Sequence, residues 1–477
     1  MPSGTSAGYT KHDEPVVREE LFVGWSTPKL ALVVTGRQNG YLEPCGCTGL
    51  SNQKGGLARR YTLLEQLRGR GWPLVPVDLG NQVRRFGRQP ELQFQLTTEA
   101  MKQMGYAAVT FGPADLQLTS DELAATTAPA DAHGPSFVSA NVAILDRDFT
   151  PRYRLVEVAG VRVAVTGVLG DQYARELQAG DLVIEPALDG LRKAWQQIAE
   201  AGGCDVAVLL AHATRGETLE LARAVPHFDI VVTAGGAETP PLEPEPLGQG
   251  RLLLWVGAKG MYAAVLGFFP EEAQRWRYQR VPLDSRFADA RPMLDLMAVY
   301  QRQLERLGLE GLGLKPLPHP SGRQFVGSET CGDCHTKAYA VWKNTPHAHA
   351  TDSIVHPTER SEIPRHFDPE CLSCHVTGWN PQRFTPYASG YWSLESTPKM
   401  VGNGCENCHG PGSAHVEAEE GGASDELLEQ LREEMRLVLA GAEKKCIECH
   451  DLDNSPDFHR PGAFEHYWQQ IAHPGKD

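Results

Sequence analysis

The chain of 477 residues lacks long apolar runs, an excess of basic residues and the pattern that begins a secretory signal. Spanning a bilayer takes roughly 18 apolar residues, so we expect no membrane span. A formal net charge of −15 disfavours binding to nucleic acid or to an anionic membrane. The first residues show no basic stretch followed by an apolar core. We therefore expect a mature chain whose signal peptide is absent from this numbering, and an anchor removed with the leader stays open.

Cysteine is scarce in the first two thirds of the chain and abundant in the last third. Only Cys45, Cys47 and Cys204 lie outside four copies of C-x-x-C-H. In each copy two thiols are spaced to attach to the vinyl groups of one haem, and the histidine that follows can bind its iron. Zinc is a poor alternative because no second cysteine pair is spaced to close a tetrahedral site. The sequence thus predicts four covalently bound c-type haems. The predicted attachment residues are Cys331, Cys334, Cys371, Cys374, Cys405, Cys408, Cys446 and Cys449, and the predicted proximal ligands are His335, His375, His409 and His450.

The apolar runs divide the chain into regions of different fold class. Over residues 29–285 short buried strands alternate with amphipathic stretches, which predicts an α/β domain. The runs RLLLWVG and AAVLGFF follow each other without a helix, which indicates antiparallel pairing and a mixed sheet. Residues 323–477 have little strand signal and predict a mainly helical domain with haem as its core. Residues 1–28 form an extension, and residues 286–322 a helix and linker.

The segments around the four motifs resemble a known family. FVGSETCGDCH, DPECLSCH, GNGCENCHGPGSAH and KKCIECH resemble the tetrahaem cytochromes of the c-554 type, which accept electrons from hydroxylamine oxidoreductase. The resemblance covers Phe325 to His473 and implies electron transfer between closely stacked haems. It also implies distal ligands. The expected distal ligand is His415 for the first haem, His347 for the third and His473 for the fourth. His466 is an alternative distal ligand for the fourth haem.

The second haem, on His375, has no assigned distal ligand. The resemblance implies that it is five-coordinate, in which case it could bind a small ligand such as nitric oxide. The alternative is that another histidine closes the position. The candidates are His349, His356, His366 and His459.

The first domain resembles a second family. The stretch T-G-R-Q-N-G-Y-L-E-P at residues 35–44 matches the frame T-N-D-x-H-G-x-x-x-P of the secreted 5′-nucleotidase and SoxB-like metallophosphatases. The resemblance covers residues 29 to 269 and implies a four-layer αββα sandwich. Arg37 stands where the family has a metal-binding aspartate, and Asn39 stands where it has a histidine. We expect this domain to be a pseudo-metallophosphatase.

The other metal motifs of that family are altered as well. D-x-G-D reads Asp78 to Asn81, G-N-H-E/D reads Gly112 to Asp115, and G-H-x-H reads Gly235 to Glu238. Two divalent cations need several anionic or imidazole ligands, and a cationic arginine in the site would repel them. Of the family's ligands only His212 survives. The vestigial metal site is predicted at Asn39, Asn81, His212 and Glu238.

Cys45 and Cys47 follow directly after the altered first motif. They could form an inert disulfide, or one of them could pair with Cys204. They could also hold an additional soft metal such as copper or zinc, or carry out redox chemistry on sulfur species. The nearby basic stretch, which includes Arg59 and Arg60, is expected to be mostly solvated surface.

These patterns favour an electron-transfer protein of the periplasm or the extracellular space. Its partners would be redox proteins, and the altered domain would serve docking, assembly or an unidentified site. The first alternative is a haem oxidoreductase that acts on a small nitrogen or sulfur compound, at an open haem or at the cysteine pair. The second is an active nucleotidase, which the lost ligands disfavour. A homo- or hetero-oligomer stays open.

Overall fold

The computed structural model describes residues 19–45, 53–128, 134–177, 180–358 and 362–474. These residues divide into two compact units. The sheet unit contains residues 19–44 and 54–300, and the haem-motif unit contains Cys45, Gln53 and the described residues from 301 onward. Among the described residues no helix combines the length and apolarity that crossing a bilayer requires.

The sheet unit is built from short buried strands and amphipathic helices. Its described strands are β1 (Leu30–Thr35), β2 (Leu74–Asp78), β3 (Ala108–Val109), β4 (Ser136–Phe137), β5 (Val142–Ile144), β6 (Tyr153–Val158), β7 (Val161–Leu169), β8 (Leu182–Ile184), β9 (Val206–His212), β10 (Ile230–Thr233), β11 (Glu245–Gly248), β12 (Arg251–Trp255), β13 (Tyr262–Phe268) and β14 (Trp276–Pro282). Its described helices are α1 (Leu57–Gly69), α2 (Arg88–Gln103), α3 (Ser120–Thr127), α4 (Asp171–Ala174), α5 (Ala187–Glu200) and α6 (Arg215–Ala224).

The two larger sheets are both mixed. In the described residues one has the order β14-β13-β1-β2-β3-β4 and the other β11-β12-β10-β9-β7-β6. The prediction of mixed sheets is confirmed, but the two late apolar runs do not pair with each other. The first is β12, which pairs with β10 and β11, and the second is β13, which pairs with β1 and β14. The short connection between them carries the chain from one sheet to the other.

Apolar side chains cover both faces of these sheets. Leu32 and Val77 of the first sheet share a buried cluster with Val165 and Val208 of the second, so the sheets pack face to face. Helices α5 and α6 pack against the opposite face of the second sheet, around Leu209. Helices α1 and α2 connect the parallel strands β1, β2 and β3, and right-handed crossovers place them on the outer face of the first sheet. The layers follow the predicted αββα order.

The haem-motif unit is mainly helical, as predicted. The helix that leads into it is α7 (Arg291–Gly311), and the helices that follow are α8 (Ser328–Cys334), α9 (Thr336–Lys343), α10 (Ala350–Val355), α11 (Pro369–His375), α12 (Cys405–His409), α13 (Ser413–Gly421), α14 (Asp425–Glu434), α15 (Leu439–Cys446) and α16 (Ala463–Ile471). Two short strands are β15 (Trp379–Asn380) and β16 (Thr385–Pro386). Leu372, Trp379 and Tyr391 belong to a small apolar cluster beside the second motif. A small aliphatic core fits a domain that relies on haem for apolar burial.

Candidate haem and metal centres

Helical turns position the cysteines and histidines of the motifs. The first motif ends α8, the second ends α11, the third makes up all of α12, and the fourth begins at the end of α15. Cysteines three residues apart on a helix lie on the same side, where both can reach one haem edge. All eight motif cysteines are free thiols in this structure. They are therefore available for thioether bonds.

Three of the motif histidines are oriented through Nδ1. His375 Nδ1 lies 2.7 Å from the carbonyl oxygen of Ala350, and His409 Nδ1 lies 2.7 Å from that of Met435. A carbonyl oxygen only accepts, so Nδ1 donates and Nε2 keeps the lone pair that a metal needs. His450 Nδ1 lies 2.9 Å from Ser455 Oγ. The two carbonyl contacts thus leave Nε2 of His375 and His409 able to bind iron, whereas the Ser455 hydroxyl, which can donate or accept, orients the ring of His450.

Three histidines outside the motifs face motif histidines. The ring centres are 6.2 Å apart for His335 and His415, 6.0 Å for His347 and His450, and 5.8 Å for His409 and His473. Two imidazoles bound to one first-row metal ion, each at about 2 Å, place their ring centres about 6 Å apart. The described residues thus leave room for one iron between each pair, and they fit haem.

Two of these pairs differ from the prediction. His347 was expected at the third haem but faces His450 of the fourth motif, and His473 was expected at the fourth but faces His409 of the third. The predicted pairing is wrong because spacing along the chain does not reveal which distant motif packs opposite a loop. His415 faces His335 of the first motif, which is the pair that the resemblance implied.

Thiols of different motifs also lie near one another. The proximity of Cys331 and Cys405 raises the pKa of the first thiol and lowers that of the second, and the proximity of Cys449 and Cys374 acts in the same way. Cys408 of the third motif also interacts electrostatically with Cys446 and Cys449 of the fourth. The four motifs are therefore neighbours within one unit.

The histidines considered for the second haem have diverse surroundings. His349 is exposed at the start of α10, and His356 is exposed with Nε2 4.0 Å from Asp352. The ring of His366 lies 3.9 Å from that of Phe367, and His459 Nε2 lies 2.8 Å from the carbonyl oxygen of His450. The choice between a five-coordinate haem and one closed by these histidines stays a prediction.

The residues at the positions of the metallophosphatase motifs form hydrogen bonds with one another and with the backbone. Asn81 Nδ2 donates to Asn39 Oδ1 at 2.7 Å, and Asn81 Oδ1 accepts from the backbone N–H of Ala114 at 3.0 Å. Arg37, Asn39 and Asn81 all have left-handed backbone, with φ of 52°, 52° and 62°. Such angles are uncommon outside glycine and tend to persist at present or former functional sites. In this loop region the two asparagine amides bond to each other.

His212 and Glu238 complete the predicted vestigial site only in part. His212 is buried, and its Nδ1 lies 3.2 Å from the carbonyl oxygen of Leu79. Burial lowers the pKa of His212 to about 4, and the charge of Arg37 acts in the same direction. Arg37 Nη1 itself donates to the carbonyl oxygen of Gly257 at 3.1 Å. Glu238 is exposed.

The two buried carboxylates of these motifs are already engaged. Asp115 accepts from the backbone N–H groups of four residues, at 2.6–3.3 Å, and burial nevertheless raises its pKa to about 7. Asp78 accepts from Thr35 Oγ1 at 2.6 Å and from Gln82 Nε2 at 2.7 Å, and it lies 3.6 Å from the guanidinium of Arg60. In the part of the chain that the structure describes, no three His, Cys, Asp or Glu side chains form a metal-binding group. The described residues do not fit a dimetal centre.

Arg59 and Arg60 are not the solvated surface that was expected. Their side chains are 2% and 0% exposed. Arg60 pairs with Asp78 inside the core, and Arg59 Nε lies 3.8 Å from Asp289. The basic stretch therefore supplies internal ion pairs at these two positions.

Cys45 takes part in a disulfide, whereas Cys47 lies outside the described residues. Cys204 is a free, half-buried thiol, so the predicted alternative in which it pairs with Cys45 is wrong. It lies in the sheet unit, whereas Cys45 and Gln53 belong to the haem-motif unit. Gln53 Nε2 donates to the carbonyl oxygen of Asn454 at 2.9 Å, in the turn that carries Ser455 to His450.

The haem-motif unit is similar in sequence to known cytochromes. Residues 330–410 match the family model for cytochrome c554 and c-prime. The C-terminal part is similar to cytochrome c-554. The curated cytochrome c-554 of Nitrosomonas europaea is 28% identical over 148 residues, which cover 28% of this chain and 60% of that protein. The chain thus spans less than two thirds of that relative.

Solved structures resemble the chain at low identity. The 5′-nucleotidase precursor from Thermus thermophilus has a TM-score of 0.48 and 18% identity, covering 68% of this chain and 66% of that one. The sulfate thiohydrolase SoxB of the same organism has a TM-score of 0.47 and 13% identity, covering 59% and 62%. Haemophilus influenzae NAD nucleotidase has a TM-score of 0.44 and 16% identity, covering 64% and 71%. No activity of this chain follows from these values.

Proposed function

We propose that this chain is an extracytoplasmic electron-transfer protein that carries four covalently attached c-type haems. The observation that carries the proposal is the set of three facing histidine pairs, each with ring centres 5.8–6.2 Å apart. Haem, when bound, supplies one-electron chemistry. Two imidazole ligands suit that task because neither oxidation state of the iron has to change its ligands.

The contacts between motifs support transfer of electrons within the unit. Thiols of the first motif interact electrostatically with those of the third, those of the second with those of the fourth, and those of the third with those of the fourth. His347, which faces His450 of the fourth motif, also interacts electrostatically with His375 of the second. Attached groups in such pairs would be close enough for electrons to pass between them. The similarity to cytochrome c-554 supports the same role, with redox proteins as partners.

We assign the sheet unit a role in docking or assembly without phosphoesterase chemistry. Asn39 and Asn81 bond to each other, Asp115 is held by backbone N–H groups, and Asp78 is paired with Arg60. Binding two metal ions here would require breaking these contacts. A cationic Arg37 in the same loop opposes binding further.

Haem content and ligation test the proposal. Pyridine haemochrome analysis and intact mass should give four haems per matured chain, and the spectra should show three of them as low-spin bis-histidine. A matched variant with Cys371→Ala and Cys374→Ala should carry three. Three haems or fewer in the fully matured parent protein would refute the proposal. Nitric oxide binding to one haem, followed by its turnover, would favour the oxidoreductase alternative at the second motif.

A further inference from the structure

Glu406 lies inside the third motif, between its two cysteines, and its side chain is buried with 2% exposure. The carboxylate accepts three backbone N–H groups from outside its own helix. Glu406 Oε2 accepts from Gly327 at 2.7 Å, and Oε1 accepts from Gly412 at 2.8 Å and from Val326 at 2.9 Å. Every one of these contacts is an N–H donor, which suits an ionised carboxylate.

These N–H groups lie at the starts of two helices. Gly327 is the residue before α8, and Gly412 is the residue before α13. Neither helix has a hydrogen bond from a side chain at its own N-cap position, because glycine has none to offer. A helix start leaves backbone N–H groups unsatisfied, and a negative charge there also interacts favourably with the helix dipole. Glu406 therefore supplies, from a distant part of the chain, the cap that both helices lack.

The same two helices carry the facing histidines of the first motif. His335 directly follows α8, and His415 lies in the first turn of α13. Their ring centres are 6.2 Å apart. One carboxylate thus holds the two helix starts on which this separation depends. A second hydrogen bond joins the third motif to the start of α8, because the backbone N–H of Cys405 donates to Ser328 Oγ at 3.1 Å.

We propose that Glu406 is a positioning residue for the first haem, one that fixes the two histidines that would hold its iron and places a buried carboxylate beside it. The inference rests on the proposed function, because it presumes that the first motif carries haem. Burial raises the pKa of Glu406, while its three N–H donors act against that rise. An anionic carboxylate near a haem favours the oxidised iron, because the oxidised centre carries the greater positive charge.

Two variants separate the positioning role from the charge. In Glu406→Gln the side chain keeps its shape and one acceptor oxygen, which still caps one of the two helix starts, so less haem should become high-spin than in Glu406→Ala while the midpoint potential of one haem rises. In Glu406→Ala the caps are lost, so His415 should leave the iron and one haem in four should become high-spin. Added imidazole should restore the low-spin spectrum of Glu406→Ala. The control is Glu417→Gln, an exposed position on α13 itself, which should match the parent in spin state and potential.

A second replacement identifies the affected haem. In a His415→Ala background, Glu406→Ala should add no further high-spin haem, since both changes act on the same iron. Glu406→Ala with no more high-spin haem than the parent and with parental potentials, in a protein with four haems, would overturn the inference and leave the proposed function intact. If Glu406→Ala does not mature, Glu406→Gln decides, and an unchanged set of potentials would overturn the inference. A parent protein without four haems would instead refute the proposed function.

Discussion

Replacing His347 by alanine tests which motifs share an iron. The ring centre of His347 lies 6.0 Å from that of His450, so the change should remove the distal ligand of the fourth haem. Four C-x-x-C-H motifs predict four haems, so the high-spin fraction should rise by one quarter of the total. Low-temperature electron paramagnetic resonance, together with the high-spin absorption band, measures that fraction. Imidazole in solution should reverse the change by filling the open position.

The fourth haem can also be removed to test the assignment. In a protein with Cys446→Ala and Cys449→Ala, the change at His347 should add no high-spin haem, because its iron is no longer there. His473→Ala should still add one in that background, since His473 faces His409 at 5.8 Å. The control is His227→Ala, an exposed histidine of the sheet unit, which should leave the spin state unchanged. A new high-spin haem from His347→Ala in the background without the fourth haem would refute the pairing.

Three further predictions concern the sheet unit and the cysteine pair. The protein should not hydrolyse nucleotides in the presence of manganese or zinc. The double variant Arg37→Asp with Asn39→His should not be active either, because the other metal-binding positions remain altered. Hydrolysis by the unmodified protein would contradict this prediction. Asp115→Ala leaves four backbone N–H groups without an acceptor. Denaturant titrations should show that it lowers the free energy of unfolding by on the order of 3 kcal/mol. The control Asp121→Ala, at an exposed position, should have little effect. Because Cys45 is disulfide-bonded, Cys45→Ser with Cys47→Ser should change the midpoint potentials without unfolding the chain. Unchanged potentials would assign the pair a structural role.

Local sequence pattern predicted the elements of the structure more successfully than their partners. The apolar run from Leu30 to Thr35 is one of the short buried strands predicted for this region, and the four motifs lie on or directly after helices. Side-chain periodicity and short-range spacing decide these features. By contrast, the pairing of His347 with His450 joins residues about a hundred positions apart, and no local pattern encodes it.

The hydrogen-bond partners of Glu406 likewise could not be predicted from the local sequence. Between two haem-attachment cysteines, a glutamate looks like an exposed polar residue of a short helix. The only local signals were Gly327 and Gly412, which begin helices without a capping side chain. Such a helix start predicts that an acceptor is needed, but the chain provides it 79 residues after Gly327. Only the folded structure identifies the donor and acceptor as partners.

The residues at the predicted vestigial metal site are held by one connected set of contacts. A buried carboxylate is costly without a counter-charge, and here the guanidinium of Arg60 provides that charge for Asp78 at 3.6 Å. Breaking a buried ion pair by removing one partner typically costs about 3–5 kcal/mol. A metal ion that recruited Asp78 would have to offset that loss and also separate Asn81 from Asn39. Restoring one or two ligands would leave these competing contacts in place, so we expect such variants not to bind two metal ions.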